Sequence, residues 1–119
     1  MDLVELLLTL HNQIKVYHWQ TESFAEHKAF GDTYDELTEL IDEFMEVFMG
    51  RYKRIKSDSE FKISLRNHSN DCSNIIQAYI DVLRDDITKG VSDKDTDLLN
   101  LRDEMMGQLN KLKYLLTLK

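Results

Sequence analysis

Proline is absent from the 119-residue chain, glycine occurs only four times and cysteine once. So few turn-forming residues exclude a β-sandwich of this size, which needs many tight turns. Cys72 has no second cysteine to pair with, which excludes an intrachain disulfide and fits a reducing compartment. No apolar run approaches the roughly 18 residues of a membrane-spanning helix, and the first residues lack the basic start of a signal peptide. We therefore expect a cytoplasmic (intracellular) protein with no membrane contact.

The charge is predominantly acidic, with 22 Asp and Glu against 15 Lys and Arg, a formal net charge of −7. Such a chain is poorly suited to sequence-independent nucleic-acid binding, which needs a positive surface, and well suited to attracting cations. The sequence also lacks HExxH, CxxC, GxSxG, GxGxxG and phosphate-loop motifs, and nothing in it indicates a nucleophilic triad.

Apolar residues recur at helical spacing in four stretches, over residues 2–20, 25–55, 71–89 and 93–118. Four amphipathic helices in one domain of residues 1–119 predict an all-α four-helix bundle. A long polar connection, residues 56–70, joins the second helix to the third. Phe61, Ile63 and Leu65 alternate with polar residues there, but a lone strand has no partner, so we expect a docked loop or a helical turn.

The first helix carries apolar residues outside its core stripe. Val4, Leu8 and Trp19 lie about 100° to 160° from the stripe on a helical wheel. A second apolar strip usually packs against a partner, which predicts self-association. The alternative is that these are scattered surface residues without a role.

Three carboxylates share one strip of the second helix. Asp42 and Glu46 are four residues apart, and Asp35 lies seven residues before Asp42. Carboxylates at this spacing can share a hard or borderline cation. Because the acidity continues around the helix, with Asp32 among its other carboxylates, the alternative is an ordinary solvated face.

Two of the four histidines, His18 and His27, lie close to the junction of the first two helices. Two imidazoles and two carboxylates are a plausible ligand set for iron or another first-row metal. Helices one and two could bring them together within one chain or across a dimer. The alternative is that the histidines are hydrogen-bonded structural residues.

The residues in this order resemble the Dps-type mini-ferritins (DNA-binding proteins from starved cells) of the ferritin-like superfamily. The resemblance rests on the following residues of the first two helices: His18, Trp19, Phe24, His27, Phe30, Tyr34, Asp42 and Glu46. It extends to the last helix through residues 95–99, Lys111 and residues 114–116. It therefore covers nearly the whole chain.

The resemblance implies a ferritin-like bundle that assembles into a homo-oligomer, at least a dimer and up to a dodecamer. It also implies a ferroxidase that oxidises Fe(II), preferably with hydrogen peroxide, and stores ferric iron. His18 and His27 of one subunit would bind iron together with Asp42 and Glu46 of its twofold mate. Asp35 and Asp32 are further candidate ligands. Because the lysine-rich N-terminal tail of the family is missing, we expect weak or absent DNA binding.

Two positions depart from the family pattern. Gly31 stands where the family usually has an aspartate, four residues after the second histidine, and Val47 stands where an arginine usually follows the glutamate. They favour an alternative function, a ferroxidase-inactive ferritin-like bundle with a structural or assembly role. A bundle that binds another metal, such as zinc or manganese, at the same residues is a third hypothesis.

Overall fold

The computed structural model describes residues 2–118, which form four α-helices. These are α1 (Leu3–Gln20), α2 (Phe24–Arg51), α3 (Cys72–Gly90) and α4 (Thr96–Leu115). No strand occurs within the described residues, so the prediction of an all-α four-helix bundle is confirmed. None of the four helices is long and apolar enough to cross a membrane.

The core forms where the apolar stripes of the four helices meet. α2 packs against both α1 and α4, and α3 packs mainly against α4. The predicted stripes are buried, with these side chains fully enclosed: Leu6, Leu10, Ile14, Phe30, Leu37, Phe44, Ile76, Leu83, Met105, Leu109 and Leu112. Because α1 and α2 are antiparallel neighbours, the end of α1 and the start of α2 lie side by side.

The boundaries of two helices differ from the prediction. α2 ends at Arg51 rather than at position 55, and Arg51 Nε donates to the Asp97 carboxylate at 2.9 Å, which ties this helix end to the start of α4. α4 begins at Thr96 rather than at position 93. Asp95 occupies the cap position, and its carboxylate accepts hydrogen bonds from the Tyr52 hydroxyl and the Ser92 N–H.

The connection between α2 and α3 runs along α1 as a docked loop, as expected, and contains no helical turn between residues 53 and 69. The fully buried amide of Gln13 accepts from Arg66 N at 2.7 Å and donates to Arg66 O at 2.9 Å. Gln20 accepts from His68 N at 2.7 Å. α1 thus holds the connection through its own side chains.

Candidate metal centre

His18 and His27 form a stacked pair where the end of α1 meets the start of α2. Their ring centroids are 3.9 Å apart and the ring planes are inclined by 16°. Each ring also bonds to the backbone of the other residue. His18 Nδ1 lies 2.7 Å from the His27 carbonyl oxygen, and His27 Nδ1 lies 2.8 Å from the His18 carbonyl oxygen. The two residues are therefore fixed by one reciprocal arrangement.

The reciprocal hydrogen bonds determine which ring nitrogens are free. A carbonyl oxygen only accepts, so both Nδ1 atoms must carry a proton. In the neutral rings, both Nε2 atoms then keep their lone pairs. A histidine whose Nδ1–H is bound to a backbone carbonyl is the usual form of a metal ligand, since this bond fixes both the tautomer and the ring orientation. The His18–His27 pair thus presents two oriented imidazole nitrogens.

Gly31 provides the space for the His18 ring. A Cβ atom at position 31 would lie 2.9 Å from His18 Cε1 and 3.0 Å from His18 Nδ1. Both distances are shorter than ordinary carbon contacts, so a larger residue would displace the ring. Gly31 therefore leaves the space that the His18 ring of the stacked pair occupies.

Substitution Gly31→Ala should break the histidine pair without unfolding the bundle. The new methyl group displaces the His18 ring and its Nδ1–H bond to His27, while alanine stabilises the helix by about 1 kcal/mol relative to glycine. Nitrogen-resolved NMR of the imidazoles should show His18 losing its fixed Nδ1–H form. The control is Gly107→Ala, whose Cβ would meet nothing within 4 Å and which should only raise stability. Unchanged His18 signals in Gly31→Ala would contradict this role.

A shallow groove of about 370 Å³ surrounds the pair. Besides the two histidines, its lining is Lys15, Phe24, Lys28, Gly31, Asp32 and Asp35. Lys28 Nζ lies 3.2 Å from the Asp32 carboxylate, so Asp32 already has a cationic partner, whereas Asp35 forms no ion pair within the described residues. Sequence reasoning did not place Lys15 and Lys28 at the site, although Lys15 is one helical turn before His18 and shares its face.

Asp42 and Glu46 lie far from the histidines of the same chain. α2 is one continuous helix, so the 15 residues from His27 to Asp42 separate them by about 22 Å along its axis. Both side chains are exposed, and neither forms an ion pair within residues 2–118. No group of three or more His, Cys, Asp or Glu residues in this part of the chain could hold a metal ion within one chain. The sequence left open whether the two histidines and the two carboxylates meet within one chain or across a dimer. Their separation within one chain leaves only the arrangement across two chains.

The stacking also limits how the histidines can bind metal. A metal–imidazole bond of about 2 Å lies in the plane of the ring. One ion cannot lie in two nearly parallel planes that are separated as these are. As positioned, the two rings therefore cannot bind one ion together through both Nε2 atoms.

The other two histidines have structural roles. His11 stacks on Tyr34 with a centroid distance of 4.0 Å, and its Nε2 donates to Thr38 Oγ1, which itself donates to the Tyr34 carbonyl. Burial lowers the pKa of His11, which favours the neutral ring. His68 lies in the connection with its Nε2 2.9 Å from the Glu26 carboxylate. Through these contacts His11 and His68 connect neighbouring parts of the fold.

Large apolar side chains are exposed beside the site. Trp19 is 69% exposed and Phe24 80% exposed, and Leu8 lies further along α1 with 37%. Lys15 Nζ lies 4.4 Å from the centre of the Tyr34 ring and 5.8 Å from that of Trp19. Of the second apolar strip of α1, Leu8 and Trp19 are thus exposed and Val4 is half-buried, and Trp19 lies next to the histidine pair, where it is available to a partner.

Comparison with known proteins gives a family but no activity. The model of a family of unknown function, DUF5856, matches residues 18–116. The chain is also 27% identical over 114 residues to an uncharacterized 14.6 kDa protein from the mobD–ri intergenic region of Enterobacteria phage T4. This match covers 96% of the chain and 84% of the phage protein. No solved structure matches the chain.

Proposed function

The chain belongs to DUF5856, a family of unknown function, and we propose that it acts as a Dps-type mini-ferritin that binds, oxidises and stores iron. The observation that carries the proposal is the stacked His18–His27 pair, whose Nδ1 atoms are bound to carbonyls and whose Nε2 atoms are oriented for metal ions. Fe(II) is the substrate, and hydrogen peroxide is the proposed oxidant.

A second copy of the chain supplies the carboxylates. If two α2 helices cross antiparallel about a twofold axis midway between positions 27 and 42, near Tyr34 and Asp35, each histidine pair faces the other copy's Asp42 and Glu46. The separation along α2 and the exposed carboxylates support this arrangement. The exposed side chains of Trp19 and Phe24 beside the pair give the second copy an apolar surface to contact.

The ligand types suit iron oxidation. Imidazole nitrogens bind Fe(II) at neutral pH, and carboxylates stabilise Fe(III) more than Fe(II), so the combined site favours loss of an electron. One peroxide accepts two electrons, one from each of two Fe(II) ions, and with two protons becomes two waters. We propose that each ring of the pair binds its own ion, which matches this stoichiometry. The acidic net charge attracts further cations to the assembly.

The second candidate is a ferroxidase-inactive bundle with a structural or assembly role. Gly31 favours it, because a carboxylate at this position would have to displace the His18 ring, so the site lacks one ligand of the family pattern. The apolar surface and the fold would serve assembly without any iron chemistry. The two candidates differ in one measurable property, rapid iron oxidation.

Stopped-flow oxidation of Fe(II) by hydrogen peroxide tests the proposed function. The metal-free parent should oxidise iron rapidly, and Asp42→Ala should reduce the rate at least about tenfold, the smallest loss expected when a metal site loses a ligand. Glu36→Ala is the matched control, because it removes an exposed carboxylate of the same helix from a different face. Equal, slow rates in all three proteins would establish the inactive bundle instead.

A further inference from the structure

The connection between α2 and α3 bonds to α1 through alternate residues, as one edge of an extended strand would. The backbone groups of Lys62, Arg66 and His68 all bond to side chains of α1, at distances of 2.7 to 3.2 Å. All three residues are even-numbered. In an extended chain, the N–H and C=O of one residue point to the same side, and those of the next residue point to the opposite side. The N–H and C=O groups of the odd-numbered residues therefore face away from α1.

The outward edge is unoccupied. Within the described part of the chain, no hydrogen bond reaches the N–H or C=O of Phe61, Ile63 or Leu65. Their side chains are 39%, 41% and 41% exposed. An exposed, extended segment with free backbone groups and alternating apolar side chains is a template for pairing with another strand. No proline protects this edge.

We propose that this edge pairs with the same segment of a second copy, as two antiparallel strands centred on Ile63. In this register, Glu60 of each copy faces Arg66 of the other, and Phe61 faces Leu65. Opposite charges meet on each side of the centre, and apolar side chains meet between them. The segment is therefore self-complementary in both charge and hydrophobicity, which favours a second copy over an unrelated strand.

The structure prepares the segment for this pairing. An isolated two-stranded ribbon is only marginally stable in water. Here Glu5 and Gln13 already hold the strand extended, so little further ordering is needed when the second copy binds. In the proposed register, Phe61, Ile63 and Leu65 all lie at positions where facing residues exchange both backbone hydrogen bonds.

The proposed contact is independent of the proposed iron site. It lies on the connection side of α1, whereas the His18–His27 pair lies on the side packed against α2. It therefore requires no iron chemistry. A chain with two separate twofold contacts can build assemblies larger than a dimer.

Disulfide capture at position 63 tests the proposed register. In the background Cys72→Ser, the variant Ile63→Cys should form a covalent dimer on mild oxidation, because facing Cα atoms about 5.5 Å apart are within disulfide range. Lys62→Cys is the control, since residue 62 faces Ser64 and should cross-link at least about tenfold more slowly. Equal cross-linking rates at the two positions would overturn the register.

Reversing the charge of Glu60 or Arg66 provides a second and more specific test of the register. Adding Glu60→Arg or Arg66→Glu to Ile63→Cys places like charges opposite each other, so each protein alone should cross-link about tenfold more slowly. Mixing the two should restore fast cross-linking, now between unlike copies. Folding is checked by thermal unfolding of each variant. Failure of the mixture to recover would overturn the proposal.

Proline substitution tests whether the backbone edge itself is used. Ile63→Pro removes an N–H that faces away from α1. Ser64→Pro removes an N–H that faces α1 and donates no hydrogen bond within the described residues. Sedimentation should show that Ile63→Pro weakens self-association at least about tenfold more than Ser64→Pro. Equal effects, or association unchanged by either, would exclude strand pairing.

Discussion

Mixing two inactive variants should restore about a quarter of the parental rate of Fe(II) oxidation. One variant is His18→Ala with His27→Ala, and the other is Asp42→Ala with Glu46→Ala. Each alone should be at least about tenfold slower than the parent, because each lacks half of every ligand set. A recovered rate in the mixture would require that one site be built from two chains.

The expected fraction follows from random pairing of the two variants. Half of the dimers then contain one chain of each kind. Such a dimer has one site with intact histidines and intact carboxylates, and one site that lacks both. Half of the sites in half of the dimers are complete, which gives about one quarter. The separation of about 22 Å along α2 excludes recovery within a single chain.

Subunit exchange must be shown separately, by native mass spectrometry of one isotope-labelled variant. A mixture that exchanges subunits but stays inactive would contradict the shared site. As a control, Glu36→Ala takes the place of the variant with Asp42→Ala and Glu46→Ala, and it should be active on its own before mixing. That control separates loss of a ligand from loss of negative charge on α2.

The helices and their buried faces could be predicted because both depend on local pattern. A repeat of apolar residues every three to four positions needs no knowledge of distant contacts, and residues such as Leu10, Phe30 and Leu83 are buried as expected. The ends of the helices were predicted less well. At the end of α2, Arg51 bonds to Asp97, a contact between residues 46 positions apart that no local pattern shows.

The relation between His18 and His27 could be predicted only in part. The family resemblance implied that both bind iron at one site, but the sequence could not show the stacking or the reciprocal hydrogen bonds. Gly31 is the clearest example. In the sequence it is a weak helix former and a missing carboxylate, and only the 2.9 Å distance to the His18 ring explains what a side chain there would disturb.

The structural role of Gln13 is the feature of the fold that the sequence indicated least. It lies among the leucines of α1 and is fully buried, although glutamine is mostly exposed in proteins. Its amide matches the N–H and C=O of Arg66, 53 residues away, and so substitutes for a neighbouring strand. No local pattern could predict this pairing, because its partner is a backbone group of a distant loop.

Substitution Gln13→Leu should therefore destabilise the protein by about 2–4 kcal/mol, a large part of the stability of a small domain. The leucine fits the apolar surroundings but leaves the Arg66 N–H and C=O without partners. Denaturant unfolding should show the loss, and amide exchange at Arg66 should accelerate more than exchange in the core helices. Gln108→Leu is the control, because Gln108 makes no hydrogen bond within the described residues and should change stability by less than about 0.5 kcal/mol.

Gln13→Glu distinguishes lost hydrogen bonds from lost packing. The carboxylate has nearly the same shape and still accepts from the Arg66 N–H, but it places a charged oxygen against the Arg66 carbonyl. The variant should be strongly destabilised at pH 7. As the pH falls and the carboxyl gains a proton, it can donate to the carbonyl as the amide does, so stability relative to the parent should recover. A deficit independent of pH would show that the connection is held by packing and not by this pair of hydrogen bonds.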